Sequence, residues 1–265
     1  MQAINININI NPQIYLAHLV AAIGGHISDL RNALRTIEDD SFSSRARQQG
    51  PNMIVHIRAA EASLGKDDTT QRAINNCFLA MTRSLITFVD RVLALKKAAS
   101  QAMPNIPADV ANDSLGPFVE AHLEDCYRRI SEDTGLTNPK KVGMLAGLPE
   151  WIRDSMLAMF AIRRALEHHA GVAKNDIRLG LRRTILSIGD EELKNLPMEV
   201  KGGGTLSIKI VEAETHLTAN TSIRLSDIDI EYLFFTLQSI IGPAILQTLA
   251  PAEQAPNASA AVGIE

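Results

Sequence analysis

Glu150-Trp-Ile-Arg-Asp-Ser-Met-Leu-Ala-Met-Phe-Ala-Ile-Arg-Arg-Ala-Leu-Glu-His-His-Ala-Gly171 reads as a single helix. At ~100° per residue, Trp151, Ile152, Met156, Met159, Phe160, Ile162 and Leu166 share one broad apolar arc. Such an arc has to be buried against other elements. Pro149 suits the first turn, and Gly171 suits the C-terminal cap. Arg163 falls in the middle of the arc, so it is expected to be largely buried. A guanidinium there needs a partner, and Glu167, four residues on, is the local one.

Outward from this helix the same three-four spacing recurs. Pro12 opens a helix over about 12–40, with Ile14, Leu16, Leu19, Val20, Ile23, Ile27, Leu30, Leu34 and Ile37 on one side. Gly24-Gly25 weakens its middle. Residues 41–52 read as a loop, and Met53 to Leu64 as a short helix ended by Gly65. A helix capped by Asp68 or Thr69 runs to about Ala99 with the stripe Ile74, Phe78, Met81, Leu85, Phe88, Val89, Val92 and Leu95. Residues 103–107 are a loop, and a helix spans about 114–134. A Pro/Gly-rich connection, 138–149, leads into the helix quoted above.

Two regions break the helical pattern. Residues 3–10 alternate alanine or isoleucine with asparagine, the period of a strand with one apolar face. After Gly171 the chain turns rich in Thr, Ile and Val. Leu181–Ile188, Thr205–Val211 and Thr215–Leu225 are predicted to form a small antiparallel sheet. Ser226-Asp-Ile-Asp229 has the spacing of a capping box. A last apolar helix runs from there to about Leu249, bent at Gly242-Pro243. The fold class is therefore mainly α: a helical bundle with a small antiparallel β-sheet, at about 180–225, inserted before the last helix. Residues 1–250 form one domain, and the Ala/Pro/Asn-rich 251–265 is a disordered tail.

The 265 residues suffice for a substantial core. At 46% hydrophobic and 21% charged, the chain has the composition of a soluble globular protein. Aromatics at 4% leave few base-stacking platforms and argue against an OB or RRM module. The net charge of −4 gives no global pull on nucleic acid or membrane, yet Trp151 to Arg183 carries +4. Acids nearby in space are expected to compensate Arg178, Arg182 and Arg183. Cys77 and Cys126 stand alone and read as buried small hydrophobes. The start lacks a secretory pattern, and the apolar runs are broken well short of ~20 residues. The expectation is a cytoplasmic protein with no membrane partner.

Chemistry concentrates in Ile162-Arg163-Arg164-Ala165-Leu166-Glu167-His168-His169-Ala170-Gly171. Arginine offers phosphate a fixed fork of donors, and histidine exchanges protons near neutral pH. On an ideal helix His168 lies ~140° round from Arg163. The two therefore converge only if the helix loosens near Gly171 or a second subunit closes the site. Arg164 and His168 share a face, and His169 lies near the apolar edge. Elsewhere, Lys201-Gly-Gly-Gly204 lacks the spacing of a phosphate loop and reads as a turn. Glu120-Ala-His122-Leu-Glu124-Asp125 reads as a solvated helix face. No zinc, nucleophile-elbow or dinucleotide motif occurs.

The Arg163-x4-His168 run with Gly171 three residues later resembles the signature helix of the HEPN superfamily. Arg163 and His168 match its paired arginine and histidine, and Gly171 matches its glycine. Arg164 departs from the polar Asn, Asp or His usual beside the arginine. The specific match covers about ten residues, within helices that many folds share. The resemblance implies a metal-independent endoribonuclease without a cofactor, often a toxin or phage-defence component. It also implies a homodimer, with an antitoxin or nucleotidyltransferase-type protein as a further partner. His168 would then assist attack of an RNA 2′-OH on the adjacent phosphate, and Arg163 would stabilise the pentavalent phosphate. Arg164, Glu167 and His169 would support them. Some relatives have lost catalysis and serve in RNA binding or dimerisation. Arg163 lining a cleft with His168 would favour catalysis; Arg163 sealed against Glu167 would favour the non-catalytic role.

Overall fold

The computed structural model describes residues 11–38, 66–101, 115–187 and 207–249. The predicted strand at 3–10, the loop at 41–52, the short helix at 53–64, the loop at 103–107 and the tail at 251–265 lie outside them. The described chain is mainly α, with α1 (Gln13–Glu38), α2 (Lys66–Ser100), α3 (Gly116–Ser131), α4 (Asn138–Gly143) and α5 (Glu150–His168) in order. The hairpin β1 (Ile177–Ser187) and β2 (Ser207–Leu217) follows. The chain then runs through α6 (Asp227–Thr236), a π-helical turn (Leu237–Ile241) and α7 (Gly242–Gln247).

The 35-residue α2 is the centre of the bundle. Its stripe Ile74, Phe78, Met81, Leu85, Phe88, Val89 and Val92 is buried, because residues three and four apart stack on one face. It packs against α1 and α3, and also touches α4, α5, α6 and α7. Cys77 and Cys126 are buried, and burial together with Asp29 pushes the Cys77 thiol up to about 12.

Three sequence expectations need correction. The connection 138–149 holds a helix, α4, too short to show periodicity. Pro139 suits its first turn, and Val142 is buried. Lys141 is buried as well, with its Nζ 2.7 Å from Oδ1 and 3.0 Å from Oδ2 of Asp90 on α2. The predicted three-stranded sheet is a two-stranded ribbon, in register from Ile177↔Leu217 to Ser187↔Ser207. The Thr-rich segment after β2 turns at Asn220 (φ 61°), and backbone bonds tie it to the end of α5 instead: Ile223 N–H donates to Gly171 O at 2.7 Å. Gly171 also lies beyond the cap, because α5 ends at His168 with His169 as C-cap. Ala170 (φ 51°) and Gly171 (φ 74°) follow in the left-handed region. For Ala170 that conformation costs about 1–2 kcal/mol.

The ribbon alternates as a half-buried hairpin should. Leu179, Leu181 and Leu217 are buried, against α5 and α6, while Arg178, Glu212, Glu214 and His216 are exposed. The outer edge of β1 is not left open. Ser155 on α5 donates from Oγ to Gly180 O at 2.7 Å, and Arg182 N–H donates to the buried Thr236 Oγ1 on α6 at 2.8 Å. The capping box is present: Asp229 N–H donates to Ser226 Oγ and Ser226 N–H to Asp229 Oδ2. By length and composition alone, Asp227–Gln247 would suit a membrane. Here it packs on α1, α2 and β1, with Leu233, Thr236, Leu237, Ile241 and Ile245 in the core.

Candidate functional site

The last two turns of α5 form one wall of a groove of about 960 Å³. Arg163, Arg164, Glu167, His168 and His169 all line it, together with apolar Leu157, Phe160 and Ile177. Lys174 and Asp176 from the loop before β1, Arg178 from β1, and Thr137, Asn138 and Pro139 at the start of α4 line it as well. The loop is held in place. Ala173 is bonded through its backbone to Asn220 and Thr221, and Asp176 Oδ1 accepts the Ala219 N–H at 2.7 Å. Arg163 and His168 thus reach one groove within a single chain, which the ideal wheel did not require.

Arg163 is mostly covered, as expected, but not sealed: its Nε is buried, while its side chain as a whole is 26% exposed. The wheel assumes one covered face along the whole helix. In the last two turns the buried positions are Ile162 and Ala165, which leaves Arg163 at the margin beside the groove. Its Nε lies 2.9 Å from Glu167 Oε2. The N–H points off that line, so charge holds the two more than an aligned hydrogen bond does. Arg163 is thus paired with Glu167 without being sealed against it, and it lines the groove with His168.

Glu167 is the electrostatic hub. Its side chain is 15% exposed, and Oε1 accepts Arg83 Nη2 from α2 at 2.8 Å. His168 Nε2 lies 4.0 Å from Oε2. Burial alone would push the Glu167 carboxyl up; Arg83 and Arg163 outweigh it and hold the carboxyl below its ordinary value. Because the folded value is depressed, this group's stabilisation is present above the unfolded carboxylate range. It is lost as pH falls through the folded value.

The remaining charges separate into two kinds. Arg182 is compensated as expected, 2.8 Å from Glu212 and stacked over Trp151 at 4.0 Å. The Arg183 side chain lies outside the described atoms. Arg164, Lys174 and Arg178 are exposed, and none forms an ion pair with a described residue. His168 is 66% exposed, and His169, expected at the apolar edge, is half-buried on the groove wall. Four cations, Arg163, Arg164, Lys174 and Arg178, line the groove against two carboxylates, Glu167 and Asp176, so the groove is positive. Among the described residues no three His, Cys, Asp or Glu side chains gather as a metal site. Arg83 is the participant that sequence reasoning missed. It lies 84 residues from Glu167 on the surface of another helix, where no local pattern marks it. Set against known protein families, characterised proteins and solved structures, the chain matches none.

Proposed function

We propose that the protein binds RNA in the groove at the end of α5 and cuts it without a metal, as a homodimer. The observation that carries this reading is the convergence on one groove of Arg163, exposed His168 and three cations, Arg164, Lys174 and Arg178, that have no ion-pair partner among the described residues. Cations of this kind bind phosphate oxygens irrespective of sequence. His168 would accept the proton of a ribose 2′-OH as that oxygen attacks the adjacent phosphorus. The P–O5′ bond would break and the leaving O5′ would take a proton from solvent water, giving a 2′,3′-cyclic phosphate and a 5′-OH end. Arg163 would offset the charge that builds on the phosphate. A toxin or phage-defence role, an antitoxin or nucleotidyltransferase-type partner and a cytoplasmic location rest on the HEPN resemblance alone.

The Arg163–Glu167 ion pair favours a second reading, in which the groove binds RNA or a second copy of the chain without chemistry. Both versions are tested by binding labelled single-stranded RNA across a salt series. Each lost phosphate contact lowers the slope of log K against log salt by ~0.7, so Arg164→Ala/Arg178→Ala should lower it by about 1.4. Arg35→Ala, on α1 away from the groove, should leave it unchanged. If the double variant keeps the wild-type affinity and slope, RNA does not bind here. For the homodimer, a monomer in sedimentation at micromolar protein would remove that part of the proposal.

A further inference from the structure

We infer that Arg83, on α2, is a positioning residue for the Arg163/His168 pair and acts through Glu167; its catalytic consequence rests on the RNA-cleavage reading above. Arg83 Nη2 occupies Glu167 Oε1 at 2.8 Å. This leaves Oε2 facing Arg163 Nε at 2.9 Å and His168 Nε2 at 4.0 Å. A glutamate near a helix end samples several rotamers unless something holds it. Here two arginines from different helices grip one carboxylate, so its orientation is set from α2 as well as from α5.

The orientation matters because of what it leaves free. Glu167 meets Arg163 at Nε, and no described group bonds Arg163 Nη1 or Nη2. Those two nitrogens form the flat fork that suits a phosphate. Without Arg83, Glu167 can swing to that fork, or onto His168, and occupy the groups the reaction needs. Arg83 does not line the groove, and since its side chain is 61% exposed, an unchanged KM is what separates positioning from direct contact with RNA. A single Nη2 contact carries the link, and a lysine ammonium can replace one contact of that kind.

The experiment uses the full chain with Arg83→Ala and Arg83→Lys. Two quantities are measured: kcat and KM for RNA cleavage in EDTA, and solvent exchange of the Arg163 Nε–H by 15N NMR. Arg83→Ala should lower kcat about 10- to 100-fold, with KM within about 2-fold, as expected for a misplaced catalytic group. Its Arg163 Nε–H should exchange on the order of 10-fold faster, because the Glu167 carboxylate beside the buried Nε is no longer held in place and water reaches that nitrogen. Arg83→Lys should restore most of both. A wild-type kcat in Arg83→Ala overturns the inference, and so does a loss that Arg83→Lys fails to recover. If wild type cuts no RNA, the cleavage reading falls. The NMR exchange then decides alone: acceleration in Arg83→Ala upholds the positioning role, and unchanged exchange overturns it.

Discussion

Lys141→Met is expected to destabilise the protein by about 3–5 kcal/mol, the usual cost of stranding one partner of a buried ion pair. Asp90 and Lys141 are both buried, with Nζ 2.7 and 3.0 Å from the two carboxylate oxygens. Burial pushes the Asp90 carboxyl above its ordinary value, and the Lys141 ammonium pulls it back part of the way. In the variant only the upward push remains. The penalty therefore belongs to charged Asp90: it is small where the carboxyl stays protonated and grows as pH rises above the unfolded carboxylate range. Urea unfolding at pH 5 and pH 8 reads this directly, with the larger loss at pH 8. The double variant Asp90→Leu/Lys141→Met should recover most of the loss, since an apolar pair carries no desolvation cost. A single-variant loss below about 1 kcal/mol would show that the pair is hydrated. α4 begins at Asn138, which lines the groove.

His168→Ala should lower RNA cleavage by about 10²- to 10⁴-fold, the range general acid–base groups contribute. Stability should hardly change, within about 0.5 kcal/mol, because the imidazole is 66% exposed. His169→Ala should cost less activity. His169 lines the same groove but caps the helix at φ −127°, outside the Arg163-x4-His168 spacing. Comparing kcat and melting temperature for the two variants separates chemistry from folding. Equal cleavage by wild type and His168→Ala would identify a contaminating nuclease and remove His168 from the mechanism.

The long helices were legible because Phe78, Met81, Leu85, Phe88 and Val92 repeat at the spacing that packing demands. The capping box at Ser226–Asp229 was legible because its bonds are local. Helix α4 was not, since six residues opened by Asn-Pro show no period, and a buried lysine contradicts composition until Asp90 is placed beside it. The predicted third strand does not form. Thr and Ile favour extended backbone in general, but Asn220 turns the chain and Gly171 O takes the Ile223 amide. At the groove, local spacing showed Arg163, Arg164, Glu167, His168 and His169. It could not show Lys174 and Arg178 lining the same groove, or Arg83 holding Glu167 from another helix.

The central claim is that this groove cuts RNA through its own 2′-OH without a metal. Its most direct test is cleavage of one labelled single-stranded RNA, and of the same sequence with every 2′-OH methylated, by wild-type protein in EDTA. The account predicts cleavage of the first only, with 2′,3′-cyclic phosphate ends. Cleavage of the methylated strand, or no cleavage of either, would contradict it.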